Sequence, residues 1–195
     1  MHYACENKNE EIVKLLLDNP KIVVDEVDNK GKTALHYACK NGNIEIVEQL
    51  LLYSCIDVNA KTYSCKTPLY YAYHKNHMAI VQLLVRNPMI DMDIEIEDGK
   101  TLLYLAIEEE NIKLIKMILN NPKVDFDNHL IEKVIDLGNV EIYRLLLKYS
   151  YGTRADFDEI WRDRLGNSQF RMMKMTFKIE QPKYNSPFSF HDKYD

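Results

Sequence analysis

The sequence predicts an all-α fold, an α-solenoid of stacked helix–turn–helix repeats with short β-hairpin fingers between them. Three observations carry this. Ala4, Ala38, Ala72 and Ala106 stand 34 residues apart, and Thr33, Thr67 and Thr101 keep the same step. The second half of each unit returns as NEEIVKLLL, NIEIVEQLLL, HMAIVQLLV and NIKLIKMIL. Asn-Pro punctuates the chain at 19–20, 87–88 and 121–122, again in register. Self-similarity at a fixed period marks a repeat architecture, in which each unit buries its apolar face only against its neighbours.

Each element follows from local chemistry. Thr33, Thr67 and Thr101 precede an apolar periodic stretch, where a hydroxyl can cap a helix. Pro68 falls at a first helical position, where its missing N–H leaves no bond unmade. This first helix is short and ends near Gly42, Asn76 or Glu110. Gly and Asn suit a left-handed helix end, whereas Glu110 and the matching Lys8 do not. The second helix has apolar residues at i, i+3 and i+4, as in Ile46, Val47, Leu50 and Leu51. Asn-Pro ends it, because proline cannot continue a helix. An alternating stretch, IDVNAKT or IDMDIEIED, then leads to a turn and the next Thr, and reads as an extended finger.

The unit closely resembles the ankyrin repeat. The residues that carry the resemblance are GKTALHYACKNGNIEIVEQLL (31–51), KTPLYYAYHKNHMAIVQLL (66–84) and GKTLLYLAIEEENIKLIKMIL (99–119). Its step of 34 exceeds the usual ankyrin length of about 33, and the extra residue falls after the second helix, near Ile56 or Ile90. The resemblance settles the meaning of HYAC, which occurs at His2–Cys5 and His36–Cys39. It is a repeated tile. His36 matches the histidine of the family's TPLH motif, which bonds backbone groups of the finger region. Cys5 and Cys39 share a small-residue slot with Tyr73 and Ile107. A metal ligand or nucleophile would not be replaced by Ile, and the His/Cys spacing matches no compact zinc pattern.

The register divides the chain into a partial first repeat (1–27), repeats at 28–61, 62–95 and 96–125, and a degenerate fingerless repeat at 126–151. C-terminal capping helices are expected at 152–177, with Trp161 as a core lid, and a mobile tail at 178–195. The spacing from Asn111 to Asn139 and on to Asn167 drops to 28, the loss expected when a finger is deleted. A terminal pair without fingers suits a cap, because the last repeat must cover an exposed core. Met1 stands in the Leu slot of a first helix that lacks its Thr cap, so either this helix frays or further repeats precede it.

Several functions are not expected. The net charge is −5, which gives no bulk attraction to nucleic acid or acidic lipid. No apolar run approaches a membrane span, and MHYACENKNEEIV lacks the apolar core of a secretory leader. The four cysteines form no C-x-x-C pair, which suits reduced thiols in an intracellular setting, cytoplasmic or nuclear. His74 and His77 have no third ligand at a suitable spacing. DMDIEIEDG at 91–99 fails as a calcium loop, since its glycine comes one place late and Tyr104 holds the twelfth position. No phosphate loop or nucleophile elbow is present. The chain is therefore read as no enzyme and as needing no cofactor. Ser186-Pro187 is too common a dipeptide to carry a modification site.

The resemblance implies a protein-binding scaffold that works through a concave face of finger tips and first helices. Mapped here, that face comprises Asn29, Lys30, Lys32, Lys40 and Asn41 in one repeat. The next supplies Lys61, Tyr63, Ser64, Lys66, Tyr73, His74 and Lys75, and the third Glu95, Glu97, Asp98, Lys100, Glu108 and Glu109. Lysines dominate the first two sets and carboxylates the third. A partner protein or extended peptide of opposite polarity is expected, with Tyr63 as anchor and Tyr73 second, since interface energy concentrates in aromatics. Cys65 occupies a finger-turn slot that is Gly31 and Gly99 elsewhere, so that finger is expected to differ in shape. A monomer is expected. The alternative is a self-associating end or fragment of a longer array, one that targets a catalytic domain lying elsewhere.

Overall fold

The computed structural model describes residues 1–121, 124 and 128–149. Residues 150–195 fall in a separate unit outside the described residues, and with them the expected capping helices, Trp161, Ser186-Pro187 and the tail.

The repeats are helix pairs: α1 (His2–Glu6) with α2 (Glu10–Leu17), α3 (Ala34–Asn41) with α4 (Ile44–Leu51), and α5 (Pro68–His74) with α6 (Met78–Arg86). They continue as α7 (Leu102–Glu108) with α8 (Ile112–Leu119), and α9 (Asn128–Leu137) with α10 (Val140–Tyr149). First helices pack in one row (α1–α3–α5 and α7–α9) and second helices in another (α2–α4–α6–α8–α10). The core lies between the rows. Ala38, Ala72 and Ala106 are fully buried where the helices cross, and Val47, Val81 and Ile115 are fully buried in the second row.

The caps explain where each helix starts. Thr67 accepts from the Tyr70 N–H and Thr101 from the Tyr104 N–H. Asn9, Asn43, Asn111 and Asn139 accept from the N–H three residues on and so open the second helices. His77 holds the same position without capping, and its Nε2 lies 3.2 Å from the Lys40 carbonyl oxygen. Its ring covers Gly42, where an added Cβ would come within 2.5 Å of it. All first helices from α1 to α9 end on a left-handed residue: Lys8, Gly42, Asn76, Glu110 and Gly138. Lys8 and Glu110 adopt this conformation despite a side chain that disfavours it, at about 1 kcal/mol each.

The fingers are not alike. β1 (Glu95–Glu97) and β2 (Lys100–Thr101) form an antiparallel hairpin in the third finger. Among the described residues the first two fingers have no strands and close as turns, through Asp28 N–H to Lys32 O and Thr62 N–H to Lys66 O. The slot that decides this holds Asp28, Thr62 and Ile96 in turn. Asp28 Oδ1 accepts from the N–H of Lys30 and of Lys32, both at 2.8 Å, and Thr62 Oγ1 accepts from the Lys66 N–H. Side chains of this kind compete with a strand ladder for backbone donors. Ile96 has no such group and is buried, and in that finger the backbone pairing extends outward to Glu95 and Thr101 as a strand ladder.

His36 performs the job expected of its motif. Its Nδ1 accepts from the Thr33 N–H at 3.0 Å, and its Nε2 lies 3.1 Å from the Lys66 carbonyl oxygen in the next finger. Burial holds its pKa below the usual histidine value. The two tile cysteines are buried, which pushes the Cys5 thiol up to about 11 and the Cys39 thiol higher still. A buried thiol of raised pKa is a poor nucleophile.

Candidate finger and first-helix interface

The Thr cap fixes the residue before it at the base of each finger, and in three repeats that residue is lysine. Each lysine lies over tyrosine. Lys32 Nζ is 5.3 Å from the Tyr37 ring centroid and 5.0 Å from that of Tyr71. Lys66 stands 4.1 Å from Tyr70, and Lys100 stands 5.3 Å from Tyr104. Cation–π contacts at such sites are worth about 0.5–1 kcal/mol each. His74 stacks on Tyr70 with centroids 5.3 Å apart. The first helices thus present a ladder of aromatic rings and cations toward the fingers.

Internal partners engage part of the expected contact set. Lys100 meets Glu108 at 2.7 Å, and Lys133 meets the same carboxylate at 3.2 Å. The Lys100 and Lys133 hydrogen bonds hold Glu108 below the usual carboxylate range, and Glu108 in turn raises Lys100. The Tyr73 hydroxyl donates to Glu109 at 2.6 Å, and the Asn41 amide donates to the Glu6 carbonyl at 2.8 Å. Lys40 is half-buried. Asn29, Lys30, Lys61, Tyr63, Ser64, His74, Lys75, Glu95, Asp98 and Glu109 are exposed, and the Glu97 side chain lies outside the described part.

The second and third fingers bring five of these residues into one cleft of about 470 Å³. Lys61, Ser64 and Lys66 line it from one side, Glu95 and Asp98 from the other. The sequence had not put Asp91, Asp93, Ile94 or Cys65 in the site, yet all four line this cleft. The signal was the acidic run at 91–98 directly opposite a lysine-bearing finger.

Two local features shape the cleft. Cys65 has φ +58°, matching Gly31 at +73° and Gly99 at +75°, so a thiol-bearing residue sits at a turn that glycine occupies elsewhere. Tyr73 fills the slot where Cys5 and Cys39 are buried. The backbones of α5 and α7 approach less closely than those of α1 with α3 or α3 with α5, and α5 meets β1 instead. Tyr63 does not line the cleft: it is 74% exposed, and its ring lies over Gly31 of the first finger, where an added Cβ would come within 2.8 Å. Its backbone N–H donates to the Lys30 carbonyl at 3.1 Å, which ties the first two fingers together.

The model for ankyrin repeats in three copies matches residues 1–62 and 57–130. The chain belongs to the ankyrin-repeat family. The crystal structure of an ankyrin repeat domain from Acinetobacter baumannii AYE has the same fold, at a TM-score of 0.63 and 22% identity. That alignment covers 91% of this chain and 96% of the other. A comparison with curated proteins finds no match. Ankyrin repeats are in general protein–protein interaction modules and typically non-catalytic. Among the described residues, no helix of this ankyrin array is long and apolar enough to cross a membrane, and no three His, Cys, Asp or Glu side chains converge as a metal site would require.

Proposed function

We propose that the chain is a non-catalytic scaffold that binds a partner protein, or an extended segment of one, across its fingers and first helices. The observation that supports this reading is the cleft between the second and third fingers. It sets Lys61 and Lys66 against Glu95 and Asp98, and Tyr63 is exposed on the finger that carries the two lysines. A partner segment that crosses it meets positive charge on one side and negative on the other. Such complementarity fixes orientation and speeds association, and an aromatic anchor supplies affinity. Tyr63 suits that role, because its packing on Gly31 restricts the ring before any partner arrives. Preorganisation lowers the entropy cost of binding.

The intramolecular pairs narrow the contact set. Glu108 is already balanced by Lys100 and Lys133, so the acidic wall rests on Glu95, Asp98 and Glu109. The lysine side rests on Lys30, Lys61 and Lys75, whose ammonium groups have no partner among the described residues, with Lys66 held over Tyr70. The test is affinity capture from cell lysate with the intact chain and with a Lys61→Ala/Tyr63→Ala/Lys66→Ala variant of matched circular dichroism. Proteins retained by the first and lost by the second support the site. Equal capture by both baits removes it.

A further inference from the structure

On the far side from the fingers, the row of second helices carries a cleft of about 490 Å³ between α6 and α8. Val85, Pro88 and Met117 give it an apolar floor, and Arg86, Lys113 and Lys116 supply three cations. Its other lining side chains are amides, and among the described residues no carboxylate lines it. In a chain of net charge −5, a basic cleft of this kind calls for an explanation.

The fold explains two of the three cations and leaves the third unexplained. One repeat earlier, the positions of Arg86, Lys113 and Lys116 hold Leu52, Ala79 and Gln82. Two repeats before Lys113 and Lys116 stand Glu45 and Glu48. In the first repeat the counterparts of Lys113 and Lys116 are Glu11 and Lys14, so these helix positions carry acidic, neutral and basic residues in turn and stacking places no demand for a cation there. Cations near a helix C-terminus complement its dipole, which accounts for Arg86 at the end of α6 and Lys116 in the last turn of α8. Lys113 is in the first turn of α8, where the dipole favours an acid, and Glu45 of α4 is that acid. Lys116 lies 3.4 Å from Glu141, with both side chains half-exposed, an ion pair that a competing carboxylate can open.

We propose that this cleft binds an acidic peptide segment with an apolar residue between its carboxylates. The floor takes the apolar side chain, and the three cations take the acids on either side of it. Carboxylates on a peptide fit better than a phosphodiester chain, because the floor of Val85, Pro88 and Met117 takes an apolar side chain and offers no ring on which a base could stack. The surface lies away from the fingers, so the chain could hold two ligands at once.

The test uses the intact chain and a fluorescein-labelled peptide of twelve residues, with Glu and Asp on both sides of a central Leu-Phe pair. Fluorescence anisotropy is read at low salt. The key variant is Arg86→Leu/Lys113→Ala/Lys116→Gln, which installs the side chains the preceding repeat carries at these positions. Saturable binding is expected for the native chain, weakened at least about tenfold in this variant. A Lys30→Glu/Lys61→Glu/Lys66→Glu variant, which removes the lysines that could also attract an acidic peptide at the finger cleft, is expected to retain a saturable binding component that the Arg86/Lys113/Lys116 substitutions abolish. A peptide with Gln and Asn in place of the acids is expected not to bind. Absent binding, equal binding by the cleft variant, or equal binding of the neutral peptide overturns the proposal. Loss in the finger variant alone would move acid recognition to the finger cleft. Tighter binding of a single-stranded oligonucleotide, lost in the cleft variant, would make this a phosphate site and overturn it as well.

Discussion

At the scale of single residues, the repeat supplies its own controls. Asn59 Oδ1 accepts from the Asp91 N–H at 2.9 Å, while its Nδ2 donates to the Met89 carbonyl at 2.8 Å. Thirty-four residues earlier the position is Asp25. Its Oδ2 accepts from the Asp57 N–H at 2.7 Å, but its Oδ1 is buried with no hydrogen-bond partner among the described residues. By register, the Cys55 carbonyl is the counterpart of the Met89 carbonyl that takes the Asn59 amide, and an ionised carboxylate at position 25 has no proton to give such an acceptor. Burial raises the Asp25 pKa against the pull of the Asp57 N–H, and the Asp57 carboxylate raises it further. A carboxyl whose pKa is raised on folding destabilises the fold above that pKa, and the penalty vanishes below its unfolded value. Asp25→Asn is therefore expected to stabilise the chain by of order 1 kcal/mol at neutral pH, through one added bond and one less stranded acceptor. The gain is expected to shrink as pH falls through the carboxylate range, where protonated Asp25 can donate for itself. Urea midpoints at pH 7 and near pH 3.5 check both claims, and an unchanged midpoint at pH 7 would remove the argument. Asp28 behaves oppositely. Burial pushes its carboxyl up, but the Tyr37 hydroxyl and the Lys32 and Lys30 N–H groups outweigh it and hold the pKa at about 2.

At the scale of elements, the second finger is the one whose turn residue disagrees with its conformation. Cys65 holds φ +58° where its counterparts are glycines. A left-handed residue bearing a Cβ costs about 1–2 kcal/mol, and glycine returns part of that through unfolded-state entropy. Cys65→Gly is expected to raise the thermal midpoint by a few degrees, equivalent to about 1 kcal/mol. A lowered midpoint in a thermal scan would mean that the thiol makes contacts that outweigh the strain. Helices, caps and register were legible because they are local. The Thr and Asn caps, the Asn-Pro stops and the 3.6-residue period each follow from a few neighbouring residues. The difference between turn-like and strand-like fingers was less legible, because it turns on whether Asp28, Thr62 or Ile96 offers the backbone a partner. The cleft itself joins residues 61–66 to residues 91–99, a juxtaposition of two fingers that no linear pattern contains. The candidate contact residues were legible as a list, whereas the pairing that balances Glu108 joins positions 100, 108 and 133 and emerged with the fold.

At the scale of the whole array, stability is set by which repeats have neighbours on both sides. Ile12, Ile46, Ile80 and Leu114 hold the same position in α2, α4, α6 and α8. Ile46 and Ile80 are fully buried and Leu114 is 1% exposed, whereas Ile12 is 46% exposed. The register makes this a controlled comparison, with like side chains on like helices that differ in how far they are covered. Helix α1 has no side-chain cap, which weakens this end further. In a solenoid each unit contacts only its neighbours, so stability is close to a sum of local terms along the chain. Ile80→Ala removes a fully enclosed side chain and is expected to cost about 2–4 kcal/mol, the transfer loss together with the cavity it leaves. Ile12→Ala gives up a half-exposed side chain with solvent free to fill the space, and is expected to cost under about 1 kcal/mol. Urea unfolding followed by circular dichroism compares the two. Hydrogen exchange is expected to show α1 and α2 opening ahead of α4 and α6, because α1 lacks a side-chain cap and α2 is less enclosed than its counterparts. Equal costs for the two substitutions would mean that the exposed face of α2 is covered in solution, and the effect of concentration on the Ile12→Ala midpoint would then show whether a second copy covers it.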